Sequence, residues 1–185
     1  MTRLPQARPW TRQHAYAVPR HPAPIDLRLD GNEGQLSLDE LTACLSKLSG
    51  NRLRAYPSTR SLEHKIAERF GLDGNQVLIT AGADDGLSRL CRAYLSPERG
   101  LVLPIPTFEM IRRFADGCEA PINPVAWTQQ QYPIDDVLAA VDRTTALVAV
   151  VSPNNPTGGY ATPADVTRLS QGCPSALLMA AAYAY

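Results

Sequence analysis

The stretch that decides the fold is ALVAVV at residues 146–151, followed directly by SPNNPTGG at residues 152–159. Six consecutive apolar residues are typical of a strand that is buried on both faces, as in a parallel sheet covered by helices. The eight residues after it include two prolines, two asparagines and two glycines, which predicts a rigid turn of defined shape. An asparagine amide beside such a turn points in a fixed direction, so we interpret the loop as a candidate binding site. The Asn155-Pro156 bond is a candidate cis peptide.

Outward from this stretch, apolar runs alternate with helical periodicity. The runs predict strands at 77–80, 101–103, 146–151 and 176–179, and the periodicity predicts helices at 36–48, 61–70, 87–95, 108–118, 134–141 and 163–169. Gly50 and Gly71 are expected to end the first two helices, and Ser61 and Thr162 to cap the second and the last. This alternation predicts an α/β fold with a mainly parallel sheet flanked by helices.

Ligands of such sheets bind beyond the carboxyl ends of the strands, so the loops after the predicted strands are the candidate site. The loop at 81–86 is rich in small residues and precedes a helix, which favours either a phosphate cradle or a helix start capped by Asp84 or Asp85. The loop at 104–109 presents Phe108, either as a stacking surface for a flat ring or as a core aromatic. The loop after residue 179 offers one polar side chain, the phenol of Tyr183.

Composition excludes several classes of function. The 185 residues carry a formal net charge of zero, which argues against a large basic face for nucleic acid. No apolar run is long enough to cross a membrane, and residues 1–28, rich in Pro and Arg, are expected to form an extended arm and no secretory signal. The four cysteines, of which Cys91 is predicted to be a buried thiol, are expected to be reduced in a cytoplasmic protein.

Residues 152–158, SPNNPTG, resemble the signature of the fold-type I, pyridoxal-phosphate-dependent aminotransferases, nearest to the histidinol-phosphate type. Other family segments occur in the same order, at Leu29–Glu33, Arg54–Pro57, Gly82–Asp85, Pro106–Phe108 and Tyr183. The resemblance runs from about Tyr16 to the end of the chain. It implies an incomplete fold-type I large domain at residues 29–185, with the C-terminal half missing and the arm at 1–28.

The resemblance also implies roles for single residues. The backbone amides of Ala83 and Asp84 would hold the phosphate of pyridoxal 5'-phosphate, Phe108 would stack on its pyridine ring, and Asn155 and Tyr183 would hydrogen-bond its phenolic oxygen. Tyr56 would reach the phosphate in the neighbouring subunit of a homodimer. Tyr16 and Asn32 would contact the small-molecule amine or 2-oxo acid substrate.

Two departures from the family pattern bear on activity. Ala180 stands where the family has the aspartate that pairs with the pyridine nitrogen, and the only lysines, Lys47 and Lys65, do not match the Schiff-base lysine. We therefore expect no catalytic residue in this chain and read it as a truncated, inactive aminotransferase. The alternatives are a non-catalytic binding or dimer-partner remnant, the product of a decayed reading frame, and another fold-type I enzyme, such as a threonine-phosphate decarboxylase or an aspartate-type aminotransferase.

Overall fold

The computed structural model describes residues 37–173 and 175–182. These residues separate into two compact units, 37–79 and 80–182. Both units lie within the range predicted as one partial domain, 29–185. The boundary between that domain and the N-terminal arm, at residues 28 and 29, lies outside the described residues and stays a prediction.

The unit at 37–79 contains three α-helices, α1 (Leu38–Leu45), α2 (Gly50–Arg54) and α3 (Arg60–Phe70), and a short 3₁₀ turn at Gly74–Gln76. The helix predicted at 36–48 is therefore shorter than expected. Gly50 does not end it but begins α2, because the Ser49 hydroxyl accepts a hydrogen bond from the Arg52 N–H and starts a new helix there.

Helix α3 ends at Gly71, as predicted, in the left-handed conformation with φ of 65°. Its start was placed wrongly, since Thr59 and not Ser61 is the N-cap residue. The spacing of Leu62, Ile66 and Phe70 predicts that these side chains face inward, but Phe70 is 69% exposed and Glu63 is buried instead. The Glu63 carboxylate accepts hydrogen bonds from the Ile79 backbone N–H at 3.1 Å and the Thr59 hydroxyl at 3.0 Å, and these bonds decide which face turns inward.

We predict that these two hydrogen bonds make the 37–79 unit acid-sensitive. The Ile79 N–H and then the Thr59 hydroxyl stabilise the ionised form, so the pKa of Glu63 lies below its usual 4.5. A depressed folded-state pKa gives stability that is present above the usual pKa and is lost as the pH falls through the folded value. Glu63→Gln should remove this part of the pH dependence below pH 4.5, measured by urea unfolding against pH. An unchanged acid profile in the variant would contradict the assignment.

The unit at 80–182 is built on a four-stranded sheet with strands β1 (Gly100–Ile105), β2 (Ile122–Ala126), β3 (Thr145–Val151) and β4 (Leu177–Ala181). All the described pairings are parallel, and the strand order is β2-β1-β3-β4. Every residue of β3 is buried, as its apolar run predicts. The mainly parallel α/β fold and three of the predicted strands are thus confirmed.

Two strand assignments were wrong. Residues 77–80 form no strand, because this apolar segment pairs with none of the described strands and a strand needs a hydrogen-bonded neighbour. Strand β2 was missed because its sequence, INPVA, contains Asn123 and Pro124 and lacks an apolar run. Pro124 is tolerated there because β2 is an edge strand of the described sheet.

Helices cover both faces of the sheet, and the alternation of side chains along β1 and β3 divides the core in two. The helices are α4 (Gly82–Tyr94), α5 (Glu109–Gly117), α6 (Ile134–Ala140) and α7 (Pro163–Gly172). One cluster joins the sheet to α4 and α5 and includes Leu101, Leu103, Leu147, Ala149, Val151, Leu87, Cys91, Ile111 and Ala115. The other joins it to α6 and α7 and includes Val102, Val148, Val150, Val137 and Leu169. Thr162 caps α7 as predicted.

We predict that two leucines in register on neighbouring strands differ sharply in their contribution to stability. Leu147 on β3 pairs with Leu177 on β4, yet Leu147 is fully buried and Leu177 is 40% exposed. Leu147→Ala should lower the free energy of unfolding by about 2–5 kcal/mol, because it leaves a cavity. Leu177→Ala, the matched control, should cost less than about 1.5 kcal/mol. Denaturant titration measures both, and equal losses would contradict the two-sided burial of β3.

Candidate functional site

The candidate site lies where the chain changes direction across the sheet. From β1 the chain proceeds to β2 on one side, and β3 lies on the other side of β1. Adjacent parallel strands whose connections diverge in this way leave a crevice at their carboxyl ends, and ligands bind there. The loops that follow β1 and β3, at 106–108 and 152–159, border this crevice and contain the two sequence-predicted residues Phe108 and Asn155.

The side chain of Asn154 joins these two loops. Its Oδ1 accepts a hydrogen bond from the Thr107 hydroxyl at 2.6 Å, and its Nδ2 donates to the Pro106 carbonyl at 2.9 Å and to Thr157 Oγ1 at 2.8 Å. Asn154 is only 3% exposed, so water does not compete for these bonds. Both Nδ2 hydrogens donate and Oδ1 accepts, and this combination fixes the orientation of the amide.

The backbone of Asn154 also closes the loop on itself. Its N–H donates to the Gly159 carbonyl at 2.6 Å, and its carbonyl accepts from the Gly158 N–H at 2.7 Å. Gly158 has a φ of 72°, a conformation that suits glycine, while a side chain at Gly159 would meet the Trp127 ring at 2.8 Å. The peptide before Pro156 is cis, as hypothesised, and so are those before Pro106 and Pro153. The loop is thus a closed, tightly packed turn.

A buried aromatic pair supports this turn from behind. The rings of Trp127 and Tyr132 meet edge to face, with centroids 5.2 Å apart. Tyr132 donates its hydroxyl to the Ala149 carbonyl of β3 at 2.8 Å. Burial raises the pKa of Tyr132 well above its usual value, so this phenol stays protonated and serves packing. Sequence reasoning missed both aromatics, since neither belongs to a strand or helix pattern.

Phe108 is the residue directly before α5, is half-buried and packs against the core cluster on the α4 and α5 side of the sheet. It also lines a groove of about 620 Å³ with Thr107 and the ends of β1 and β2. The lining of this groove includes neither Asn155 nor Asp84. Phe108 therefore packs against the core, as one of the two interpretations predicts, and also borders the groove; its stacking on a flat ring stays a prediction.

Helix α4 begins at the same edge of the sheet. A tight turn at 96–99 connects α4 to β1, so the two run in opposite directions. A helix of 13 residues and a strand of 6 residues are both about 20 Å long, so we expect the first turn of α4 near the level of the carboxyl end of β1. The N–H groups of Ala83 and Asp84, both exposed, precede the first intrahelical hydrogen bond.

The start of α4 differs from the predicted cap. The N-cap residue is Ala81, not Asp84 or Asp85, and Gly82 adopts a φ of 78°. The Asp85 carboxylate reaches back to accept from the Ala81 N–H at 3.1 Å, and it also accepts from Arg89 at 2.8 Å. The Arg89 guanidinium and then the Ala81 N–H lower the pKa of Asp85, so its charge is balanced on the helix itself. Ala83 and Asp84, in the first turn of α4, are exposed.

The carboxyl end of β4 lies at the same edge of the sheet as the loops after β1 and β3, since the Ser152 N–H donates to the Ala181 carbonyl at 3.0 Å. This edge is called the rim. Ala180 is exposed there and Ala181 is half-buried. Tyr56 is fully exposed in the 37–79 unit. The predictions for Tyr16, Asn32 and Tyr183 fall outside the described residues. Of the predicted site residues that the structure describes in the 80–182 unit, Phe108 and Asn155 lie in the loops after β1 and β3, and Ala83 and Asp84 lie in the first turn of α4.

The cysteines take no part in this rim. All four are free, and Cys91 is buried, as predicted. Burial raises the pKa of its thiol to about 11, so the thiol is protonated at neutral pH and unreactive. Within the described ranges no three His, Cys, Asp or Glu side chains group as a metal site requires. In the same ranges no helix is long and apolar enough to cross a membrane.

A parallel sheet with helices on both faces and two fixed loops at its switch point define a doubly wound α/β domain. The family model of aminotransferase class I and II matches residues 27–183. The chain belongs to this family, which confirms the resemblance drawn from the SPNNPTG signature.

Relatives and solved structures agree with this assignment. The chain is 32% identical over 163 residues to histidinol-phosphate aminotransferase of Maricaulis maris, covering 86% of this chain and 44% of the relative. It is 34% identical over 163 residues to histidinol-phosphate aminotransferase of Cereibacter sphaeroides, covering 86% of this chain and 45% of the relative. A crystal structure described as a putative histidinol-phosphate aminotransferase from Erwinia carotovora atroseptica superposes with a TM-score of 0.66 at 26% identity, covering 78% of this chain and 43% of that one.

The histidinol-phosphate aminotransferase of Sinorhizobium meliloti, solved with pyridoxal 5'-phosphate, superposes with a TM-score of 0.68 at 20% identity. That comparison covers 78% of this chain and 40% of the other, and it shows the fold. The chain spans less than half the length of the curated relatives it matches.

We predict that Asn154 is a major contributor to the stability of this unit. Asn154→Ala removes three side-chain hydrogen bonds and leaves the Thr107 hydroxyl and Pro106 carbonyl unsatisfied, so the free energy of unfolding should fall by about 2–4 kcal/mol. The matched control is Asn123→Ala, which removes one exposed bond to the Ala140 carbonyl and should cost less than about 1 kcal/mol. Equal losses in thermal or denaturant unfolding would contradict the role of Asn154.

Proposed function

We propose that this chain is the cofactor-binding part of a pyridoxal-phosphate-dependent aminotransferase of the histidinol-phosphate type. The whole protein would transfer an amino group from a phosphorylated or hydrophobic amine to a 2-oxo acid. The observation that supports this proposal most is that Asn154 joins the loops after β1 and β3 at one edge of the sheet. We expect the first turn of α4 at the same edge. In this proposal the described residues bind and orient the cofactor.

The phosphate would be held by the start of α4. Ala83 and Asp84 are exposed in the first turn of α4, where free N–H groups and the positive end of the helix dipole favour an anion. Gly82 supports this, because no atom lies within 4 Å of the place where its side chain would be, which leaves the approach open. The Asp85 carboxylate is paired with Arg89, so it opposes the anion less than an unpaired carboxylate would.

The pyridine ring would lie between Phe108 and Asn155. Phe108 offers an apolar face for stacking, and the Asn155 amide would donate to the phenolic oxygen. When bound, the ring acts as an electron sink for a carbanion on the substrate. The residues of this chain would bind and orient the ring. In a dimer, Tyr56, fully exposed in the 37–79 unit, would reach the phosphate of the neighbouring subunit.

One part of the donor set does not fit the cofactor. A protonated pyridine nitrogen needs an acidic partner, and the end of β4 offers the methyl groups of Ala180, Ala181 and Ala182. The two lysines of the sequence, Lys47 and Lys65, lie at exposed positions in the 37–79 unit. This observation favours a second candidate function, a binding remnant that holds the phosphorylated ring without activating it.

Titration with pyridoxamine 5'-phosphate tests the proposal. This amine cannot condense with Lys47 or Lys65, so its affinity reports binding alone. We expect it to bind more tightly than inorganic phosphate in calorimetry, because the ring adds contacts. Asn155→Ala should weaken it by about three- to tenfold, the equivalent of one hydrogen bond. If pyridoxamine phosphate binds no more tightly than inorganic phosphate, the proposal is wrong.

The binding-remnant alternative makes its own prediction. Ala180→Asp places a carboxylate at the rim, where it can pair with the pyridine nitrogen, and should tighten pyridoxamine phosphate binding by about three- to tenfold. Ala139→Asp, at an exposed position near the end of α6, which leads into β3 from the opposite edge of the sheet, adds the same charge away from the rim and should leave the affinity unchanged. Equal affinity in the wild type and Ala180→Asp would count against a missing acidic partner at this position.

A further inference from the structure

We propose that Asn154 and Thr107 form a positioning pair that sets the gap between Phe108 and Asn155 and thereby makes the site prefer a flat, ring-bearing phosphate over a bare phosphate. The inference rests on the proposed function, because it assumes that the ring lies between those two residues. Neither Asn154 nor Thr107 would touch the ring itself. They act through the residues that follow them.

The placement of the pair along the chain supports this role. Phe108 directly follows Thr107, and Asn155 directly follows Asn154. The Thr107 hydroxyl donates to Asn154 Oδ1 at 2.6 Å, and Asn154 Nδ2 donates to the Pro106 carbonyl at 2.9 Å. Two hydrogen bonds thus join the loops, one and two residues before Phe108 and one residue before Asn155. The strands that lead into the two loops, β1 and β3, are neighbours in the sheet.

The chemistry of the pair requires an asparagine. A hydroxyl that donates and a carbonyl that accepts face the same side chain, and a primary amide satisfies both at once. A carboxylate would put an oxygen against the Pro106 carbonyl, and a leucine would leave both groups unpaired. Because Asn154 is buried, water cannot replace the lost bonds. The distance between the loops therefore depends on the pair.

The phosphate-binding amides belong to a different element, the start of α4. Within the described residues, no hydrogen bond of the pair involves α4. Loosening the pair should therefore weaken binding of the ring without changing binding of the phosphate. The ratio of the affinity for the ring-bearing phosphate to the affinity for inorganic phosphate therefore measures how well the ring is positioned. A general loss of stability would weaken both and would not selectively lower this ratio.

The test compares three threonine variants in calorimetric titrations with pyridoxamine 5'-phosphate and with inorganic phosphate. Thr107→Val keeps the size and removes the donor, and it should weaken pyridoxamine phosphate by roughly three- to tenfold while leaving phosphate binding unchanged. Thr107→Ser keeps the hydroxyl and should restore the wild-type ratio. Thr167→Val removes a hydroxyl that donates to the Pro163 carbonyl on exposed α7, and it should change neither affinity.

The outcomes separate the inference from the proposed function. If the wild type prefers pyridoxamine phosphate and Thr107→Val keeps the same preference, the positioning pair is refuted and the proposed function stands. If the wild type shows no preference for the ring, the proposed function fails and the inference fails with it. If Thr107→Val loses its cooperative melt, Thr107→Ala removes the same donor with less bulk, and the same ratio decides.

Discussion

The buried amide of Asn154 is the interaction on which the candidate site depends. It bonds at once to a hydroxyl and a carbonyl of the loop after β1 and to a hydroxyl of its own loop. A buried amide with unmet bonds would cost more than a well-paired one contributes, so the two loops adopt the geometry that satisfies it. Two of these bonds cross from one loop to the other, so the amide ties the 106–108 loop to the 152–159 loop.

The central strand β3 makes that amide effective. Since β3 is buried on both faces, its end is held by core packing from α4 and α5 on one side and from α6 and α7 on the other. The Trp127 and Tyr132 rings extend the packing behind the loop, and Tyr132 bonds to β3 itself. Because the packing beneath the loop is rigid, a few hydrogen bonds are enough to define the shape of the loop. Binding sites generally depend on such a rigid support.

Much of the fold could be read from local patterns. The apolar run at 146–151, the turn residues that follow it and the Thr162 cap needed no tertiary information, because burial on both faces, turn geometry and capping each leave a local signature. Local patterns could not predict the strand at 122–126, nor that residues 77–80 form no strand. Pairing makes a strand, and the partner of an edge strand is distant in the sequence. The face of α3 was likewise decided by the bonds of Glu63 to Ile79 and Thr59.

The sequence by itself determined the fold class, the family and the loops that carry the candidate site. It also indicated the alanines at the end of β4, since a missing carboxylate is visible in the sequence. The tertiary structure decided which residue organises the rim. Sequence reasoning assigned a role to Asn155, yet its neighbour Asn154 is the buried one that joins the two loops. Adjacent asparagines look alike in a sequence, and only the position of a threonine and a carbonyl 47 and 48 residues away tells them apart.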